Sequence, residues 1–315
     1  MSIHLAVRKI YKFLTDSNYR FIVSAHRGYL RTMPAQQFLK KMYHFRTGKD
    51  LNLENPVTYT EKLQWLKLYD HRPEYTTMVD KYAAKQYVAE KIGEEYIIPL
   101  LGVWDRAEDI DFDTLPDRFV LKTTHDSGGI VVCKDKNTLD KAAAKELLEA
   151  HLKSNHWIKW REWAYKNVKP QIIAEAYMAD ADSVSSDGEE QLTDYKFFCF
   201  HGEPKMMFIA TDRLSKTEVK FDFFDMEFRH LPFRNQHPNA EQPPKCPECF
   251  EKMKDLARKL SAGIPQVRVD FYNVGGQVYF GEYTIYHWAG LTRFTPDEWD
   301  YKIGEMFELP KKKRK

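Results

Sequence analysis

The stretch Val267-Arg268-Val269-Asp270-Phe271-Tyr272, the turn Asn273-Val274-Gly275-Gly276, and the return Gln277-Val278-Tyr279-Phe280-Gly281-Glu282 read as two strands joined by a Gly-Gly turn. That pattern predicts an antiparallel hairpin, which brings Asp270 and Glu282 onto adjacent strands. Alternation sets Arg268 on the face of Asp270, and Glu282 and Thr284 can share a face in the same way. Two carboxylates in apolar strands repel unless something positive sits between them. A hard cation such as Mg²⁺, which favours oxygen ligands and substrate phosphates, would serve. A pair of solvated hairpin charges is the alternative.

Working outward, further short β-rich runs lie at Ile97 to Leu101, Phe119 to Lys122, Ile130 to Cys133, Ile172 to Tyr177, Tyr195 to Phe200, Lys205 to Ala210 and Phe221 to Phe224. Helical patterns interrupt them at Lys141 to Leu152 and Pro247 to Ser261. Hairpin-linked strands with helices grouped between them predict an α+β protein built on antiparallel sheets. Residues 1–72 read instead as an all-helical region, with Ile3, Val7, Ile10 and Leu14 at helical spacing and a Thr58-x-x-Glu61 capping box. A further helix is predicted from Thr77 to Ile92, ending at Gly93. The Asp-, Ser- and Glu-rich stretch 179–191 reads as an exposed loop.

The 48 basic and 46 acidic residues nearly cancel, which gives no global attraction to nucleic acid, and 43% hydrophobic residues suffice for a real core. Four unevenly spaced cysteines suggest a reducing compartment, with the cytoplasm as the expectation. No apolar run reads as a membrane span, and the charged start lacks the core of a signal peptide.

A second chemical signal is Phe119-Val120-Leu121-Lys122, followed by Thr123-Thr124-His125-Asp126-Ser127-Gly128-Gly129. A lysine ending an apolar strand before a Ser-Gly-Gly loop can hold phosphate through its ammonium and backbone N–H groups. Ordinary hairpin chemistry is the competing reading, and the loop is not a Walker A sequence.

The order Asp80-Lys81, Val-Leu-Lys122 with its Gly-containing loop, Ile-Ile-Ala-Glu175-Ala-Tyr, Arg268-Val-Asp270 and Phe-Gly-Glu282-Tyr-Thr284 resembles ATP-grasp enzymes. Asn55-Pro56, Glu61-Lys62-Leu63-Gln64-Trp65, Arg161-Glu162-Trp163, Asp194-Tyr195-Lys196-Phe197, Thr211-Asp212-Arg213 and Pro296-Asp297-Glu298-Trp299-Asp300 resemble the TupA-like branch, named for teichuronopeptide biosynthesis. The similarity covers roughly residues 50 to 310. It implies two α+β subdomains whose antiparallel sheets clasp ATP: an ATP-grasp domain over 73–310, with a nucleotide lid about 115–178 and a metal-binding part about 192–310, between the helical region and a basic tail at 311–315.

The resemblance also implies roles. Lys81 and Lys122 would hold the nucleotide phosphates beneath a mobile loop of Ser127, Gly128 and Gly129. Glu175 and the backbone of Ala176 and Tyr177 would meet adenine, and Asp194 would meet the ribose. Asp270, Glu282 and Thr284 would hold Mg²⁺, Thr284 standing where many ATP-grasp ligases carry Asn. Arg268 would stabilise the transferred phosphoryl group or a tetrahedral intermediate. The implied activity is ATP-dependent carboxylate-amine ligation through an acylphosphate. The expected substrates are a carboxylate and an amine, with an amino acid or peptide added to a uronic-acid-type glycan of a surface polysaccharide. A phosphotransferase or sugar transferase, and a non-catalytic nucleotide-binding protein, are the alternatives.

Several features stand outside that scheme. Cys246-Pro-Glu-Cys249 has metal-ligand spacing but no second pair nearby, and reads as incidental at a helix start. The tail Lys311-Lys-Lys-Arg-Lys315 resembles a nuclear localisation signal, reads as a solvated terminus, and offers a contact to an anionic membrane. The aromatic and basic run His156 to Tyr165 suits either stacking on a sugar or bases or packing at a helix interface. His287 and Trp288 could lie at an acceptor site, where a neutral histidine could act as a base.

Overall fold

The computed structural model describes residues 3–184, 190–212 and 218–312. Six helices come first: α1 (Ile3–Thr15), α2 (Ser17–His26), α3 (Ala35–Thr47), α4 (Tyr59–Tyr69), α5 (Glu74–Val79) and α6 (Ala83–Ile92). The Thr58/Glu61 capping box opens α4 as expected, each side chain reaching the other residue's backbone N–H.

A four-stranded antiparallel sheet follows in the order β1 (Leu100–Trp104), β4 (Ile172–Ala176), β2 (Phe119–Thr123), β3 (Ile130–Cys133). Helices α7 (Lys141–Leu152) and α8 (His156–Trp160) lie within that segment. The minor hairpin of β5 (Asp180–Val184) and β6 (Glu190–Gln191) occupies the insertion read as a loop; residues 185–189 of it lie outside the described residues. The larger sheet contains β7 (Asp194–Phe200), β8 (Glu203–Thr211), β9 (Lys220–Asp225), β10 (His230–Leu231), β12 (Gln266–Val274) and β13 (Gln277–Thr284), ordered β10-β9-β8-β7-β12-β13. Strands β11 (Arg234–Asn235) and β14 (Phe294–Thr295) form a small pair, and α9 (Phe250–Ser261) and α10 (Glu298–Glu305) complete the chain.

Buried apolar residues fall into two clusters. The smaller, with Phe119, Leu121, Leu148 and Ile172, belongs to the four-stranded sheet and α7. The larger joins Phe38, Leu39, Leu63 and Leu66 of the N-terminal helices to Phe197, Phe208, Val269 and Phe271 of the six-stranded sheet. The helical region therefore shares the core of the large sheet. No helix among the described residues is long and apolar enough to cross a membrane.

Two local expectations change. The helix expected from Thr77 to Ile92 breaks at Asp80, whose backbone is extended and whose carboxylate accepts from the N–H groups of Tyr82 and Ala83. That local capping competes with helix continuation and places Lys81 in a turn. The strand expected from Ile97 begins instead at Leu100, after Pro99, which has no N–H for a ladder. Ile97 makes an isolated bridge to Phe280.

Candidate active site

The hairpin expected from the sequence is β12–β13, and its register sets Asp270 opposite Glu282 and Arg268 opposite Thr284. The pairing shifts between Asp270 and Phe271, where Phe271 faces Phe280 and leaves Gly281 as an extra residue. A Cβ on Gly281 would stand 3.1 Å from the Tyr272 ring and 3.2 Å from the Asp270 carbonyl oxygen. Cross-strand neighbours share a face, so the register carries one row through Glu282, Asp270, Lys196 and Phe208 on four successive strands.

Along that row the charges are paired. Arg268 grips Asp270 through Nε and Nη2, each 2.7 Å from a carboxylate oxygen, and reaches Glu282 at 3.3 Å. Lys196 bonds the same Asp270 carboxylate and lies 3.1 Å from Asp194. Burial pushes the Asp270 carboxyl up, but Arg268 and Lys196 outweigh it and hold it below the ordinary carboxylate value. Glu282 is 41% exposed, whereas Asp270 is fully buried. Asp194, expected at the ribose, is also fully buried and joined to Lys196, so its carboxylate belongs to this ion-pair chain and not to the cavity lining. Lys196 is a site residue that the sequence reading missed; its signal is a lone lysine in an apolar strand, two residues after an aspartate.

The donor atoms of Asp270, Glu282 and Thr284 are all oxygen, as a hard cation requires, but both Asp270 oxygens are already engaged by Arg268 and Lys196, so a cation there would have to share or displace one of these partners. Among the described residues no group of three or more His, Cys, Asp or Glu could hold a metal unaided. Magnesium commonly uses one or two carboxylates with substrate phosphates completing its shell, so the donor set is adequate only in company with phosphate. The four cysteines form no disulfide, and Cys249 stands at the N-cap position of α9 without a side-chain cap bond.

The phosphate-holding candidates converge from two directions. Lys81 donates its backbone N–H to Thr124 and its ammonium to the carbonyl of Asp126, the residue before Ser127. Lys122, the last but one residue of β2, pairs with Glu175 at 2.6 Å, and Lys85 of α6 takes the other Glu175 oxygen at 2.6 Å. Burial pushes Glu175 up, but Lys122 and Lys85 together bring it down to about 2. Glu175, expected at adenine, is thus a clamp for two lysines, and Lys85 is another residue that the reading missed, one helical turn after Lys81. The Ala176 N–H goes to the Pro99 carbonyl, and the Arg118 guanidinium lies 4.0 Å from the Tyr177 ring centroid. Gly129 is enforced: a Cβ there would lie 2.1 Å from Thr123 Oγ1.

A cavity of about 540 Å³ opens over the row, lined by Lys81, Ser127, Lys196, Arg268, Glu282 and Thr284. Lys122, Gly128, Gly129 and Glu175 are not part of its lining. Its other wall is aromatic, with Trp160, Tyr165, Phe221 and Trp288. Within the run His156 to Tyr165, Trp160 and Tyr165 line the cavity, while buried Arg161 donates to the carbonyls of Ile158 and Leu30 and packs on Phe38. Trp288, Ala289 and Gly290 are all left-handed, at φ 47°, 55° and 60°. Two side chains of α4 hold this turn: Gln64 donates to the carbonyls of Ala289 and Gly290, and Lys67 donates to those of Ala289 and Trp160. Burial brings the Lys67 ammonium down to about 8.

His287 is buried beside this turn. Its Nδ1 accepts from Arg268 Nη1 at 2.8 Å, and Nε2 is 2.9 Å from Asn235 Oδ1. Burial, with Arg268 and Lys196 nearby, holds it neutral, well below the ordinary histidine value. With both nitrogens engaged it supports Arg268 and is not a free base.

The model of the TupA-like ATP-grasp family matches residues 61–308. No curated protein matches the chain. Among solved structures, D-alanine–D-alanine ligase from Bacillus anthracis complexed with ATP is similar at 13% identity and a TM-score of 0.39, over 71% of this chain and 57% of that one. N5-carboxyaminoimidazole synthetase from Staphylococcus aureus complexed with ADP is similar at 13% and 0.38, over 66% and 45%. L-amino acid ligase from Bacillus licheniformis is similar at 11% and 0.39, over 68% and 42%. In each case the chain spans less than two thirds of the other protein's length.

Proposed function

Because the chain belongs to the TupA-like ATP-grasp family, we propose that it is an ATP-dependent carboxylate-amine ligase that forms an amide through an acylphosphate. The observation that carries this reading is the charged row of Glu282, Asp270 and Lys196, with Arg268 opposite Thr284, beneath a cavity that Lys81 also lines. A carboxylate is a poor electrophile because its leaving group would be oxide, whereas an acylphosphate loses phosphate readily when an amine attacks its carbonyl carbon. Lys81 and Lys122 bind the nucleotide phosphates, Lys122 being steadied by Glu175. Ser127, Gly128 and Gly129 cover them, and the segment Glu175–Tyr177 borders the nucleotide base.

Glu282 and Asp270, with Thr284 beside them, would hold Mg²⁺, which would neutralise charge on the phosphates. Arg268, fixed by Asp270 and His287, faces the charge that develops during phosphoryl transfer or on the tetrahedral intermediate. Lys196, fixed by Asp194 and Asp270, lies on the same face and adds a second fixed positive charge. We assign Asp194 to holding that lysine.

The acceptor lies against the aromatic wall of Trp160, Tyr165 and Trp288, which suits an amino acid or peptide joined to a uronic-acid-type glycan in surface polysaccharide assembly, in the cytoplasm. The tail from Lys311 offers an anionic membrane a contact; its residues 313–315 lie outside the described residues. The test is a matrix of carboxylates and amines with ATP, read as ADP and phosphate. A ligase releases phosphate only when both partners are present. A phosphorylated product without amine would make the protein a phosphotransferase, and no turnover with any pair despite ATP binding would leave a nucleotide-binding protein.

A further inference from the structure

The near-neutral chain is electrically divided. Residues 1–49 contain ten of the 48 basic residues and only one of the 46 acidic ones, so they carry +9 against −7 on the remainder. The single carboxylate, Asp16, is occupied in capping α2 through the N–H groups of Asn18 and Tyr19. Arg20 donates to the carbonyls of Phe13 and Leu14 and meets no carboxylate among the described residues. Of the ten basic residues only Lys49 is half-buried, and it pairs with Asp297; the others are exposed.

The same segment holds the three most exposed large apolar side chains among the described residues: Tyr29 at 69%, Tyr11 at 68% and Leu14 at 68%. Tyr11 and Leu14 share one face of α1, three residues apart, and Arg8 and Lys12 stand on the same helix. The segment adjoins the cavity: Arg46 of α3 lines it, and His26 of α2 packs edge-on against Trp160 of the aromatic wall, ring centroids 4.7 Å apart.

We propose that α1 and α2, with Tyr11, Leu14 and Tyr29 set among arginines and lysines, form a docking surface for an anionic lipid bilayer that brings the cavity mouth to the membrane. A basic helix with exposed aromatic and aliphatic side chains lies in the headgroup plane, its apolar groups in the acyl boundary and its cations among anionic headgroups. Leu14 decides between this and a soluble polyanion. A polyanion would use the charges and gain nothing from a leucine two-thirds exposed to water. This inference does not depend on the ligase reading.

The test is sedimentation of the purified full chain with vesicles of equal parts phosphatidylglycerol and phosphatidylcholine, and with phosphatidylcholine alone. Binding to the anionic vesicles is expected to be at least tenfold tighter and to fall about tenfold or more between 0.1 and 0.5 M salt. Arg8→Glu with Lys12→Glu should weaken it at least tenfold, and Leu14→Ser should weaken it several-fold at unchanged net charge. Circular dichroism and the melting temperature of both variants should match the parent, since these side chains are exposed. Equal binding to both vesicle types, or none to either, overturns the proposal. So does binding of poly-glutamate as tightly as the anionic vesicles with Leu14→Ser without effect, which would assign the surface to a soluble polyanion. Dimerisation abolished by Leu14→Ser, without vesicle binding, would assign it to a second copy of the chain.

Discussion

Arg268 donates one guanidinium N–H to His287 Nδ1 at 2.8 Å while two others grip Asp270, so the side chain is held at both ends by neighbours that cannot move with solvent. The bond requires His287 to carry its proton on Nε2, where Asn235 Oδ1 accepts it. An arginine fixed in this way needs no reorganisation when charge develops in front of it. Arg268→Met should therefore cost about 10² to 10³ in kcat while ATP affinity, measured directly, stays nearly unchanged. Collapse of ATP affinity with kcat intact at saturation would make Arg268 a nucleotide anchor instead.

His287 also gives a pH signature. Its folded value lies well below the ordinary 6.5, so between the two values the unfolded chain binds the extra proton. Stability should fall as pH drops below about 6.5 and be regained as pH rises through it. Denaturant unfolding at pH 7.5 and 5.5 checks this: His287→Gln should shrink the difference between the two pH values relative to the parent.

The two carboxylates of the hairpin should respond differently. Glu282→Gln removes a partly exposed charge and should weaken Mg²⁺-dependent ATP binding and turnover with little change in unfolding free energy. Asp270→Asn leaves Arg268 and Lys196 buried with a neutral partner, so it should additionally destabilise the fold by about 3 kcal/mol or more. Full activity of both variants at limiting Mg²⁺ would remove the metal assignment.

Glu175 predicts an acid-sensitive clamp. Its folded value of about 2 lies below the ordinary 4.5, so its contribution is complete above about 4.5 and is lost as pH falls toward 2. Glu175→Gln should destabilise by about 3 kcal/mol at pH 7, since two half-buried lysines lose their counterion, and by much less near pH 3. Equal effects at both values would show that the clamp is electrostatically idle.

Gly129→Ala tests the loop by shape alone. Its Cβ would meet Thr123 Oγ1 and the His151 Cβ at 2.1 and 2.8 Å, so the loop must shift. Apparent KM for ATP should rise several-fold with the melting temperature within a few degrees of the parent. An unchanged KM would separate the loop from the nucleotide.

The hairpin, its facing carboxylates, most strands of both sheets and the cap of α4 were legible because each rests on local alternation or on a turn residue. Lys85 and Lys196 were not, because their meaning comes from Glu175 and Asp270, which lie 90 and 74 residues further along the chain. Asp80 was passed over as part of a helix although an aspartate two and three residues before free N–H groups is a cap signal. The left-handed turn at Trp288 was hidden for another reason: nothing in Trp-Ala-Gly announces positive φ at the first two residues. Gln64 and Lys67, which hold that turn, reach it from a helix more than 200 residues earlier.

The separation of the buried apolar residues into two clusters bears on how a nucleotide enters. Lys81 and Lys85, beside the larger cluster, reach across to the Asp126 carbonyl and to Glu175 in the four-stranded sheet. Swinging that sheet outward would exchange these polar links for water, while each apolar core remains covered by its own elements. On the proposed phosphate role of these lysines, incoming phosphates would take over as their partners, so that arrival of the nucleotide and closure of the sheet would become one exchange of ammonium partners.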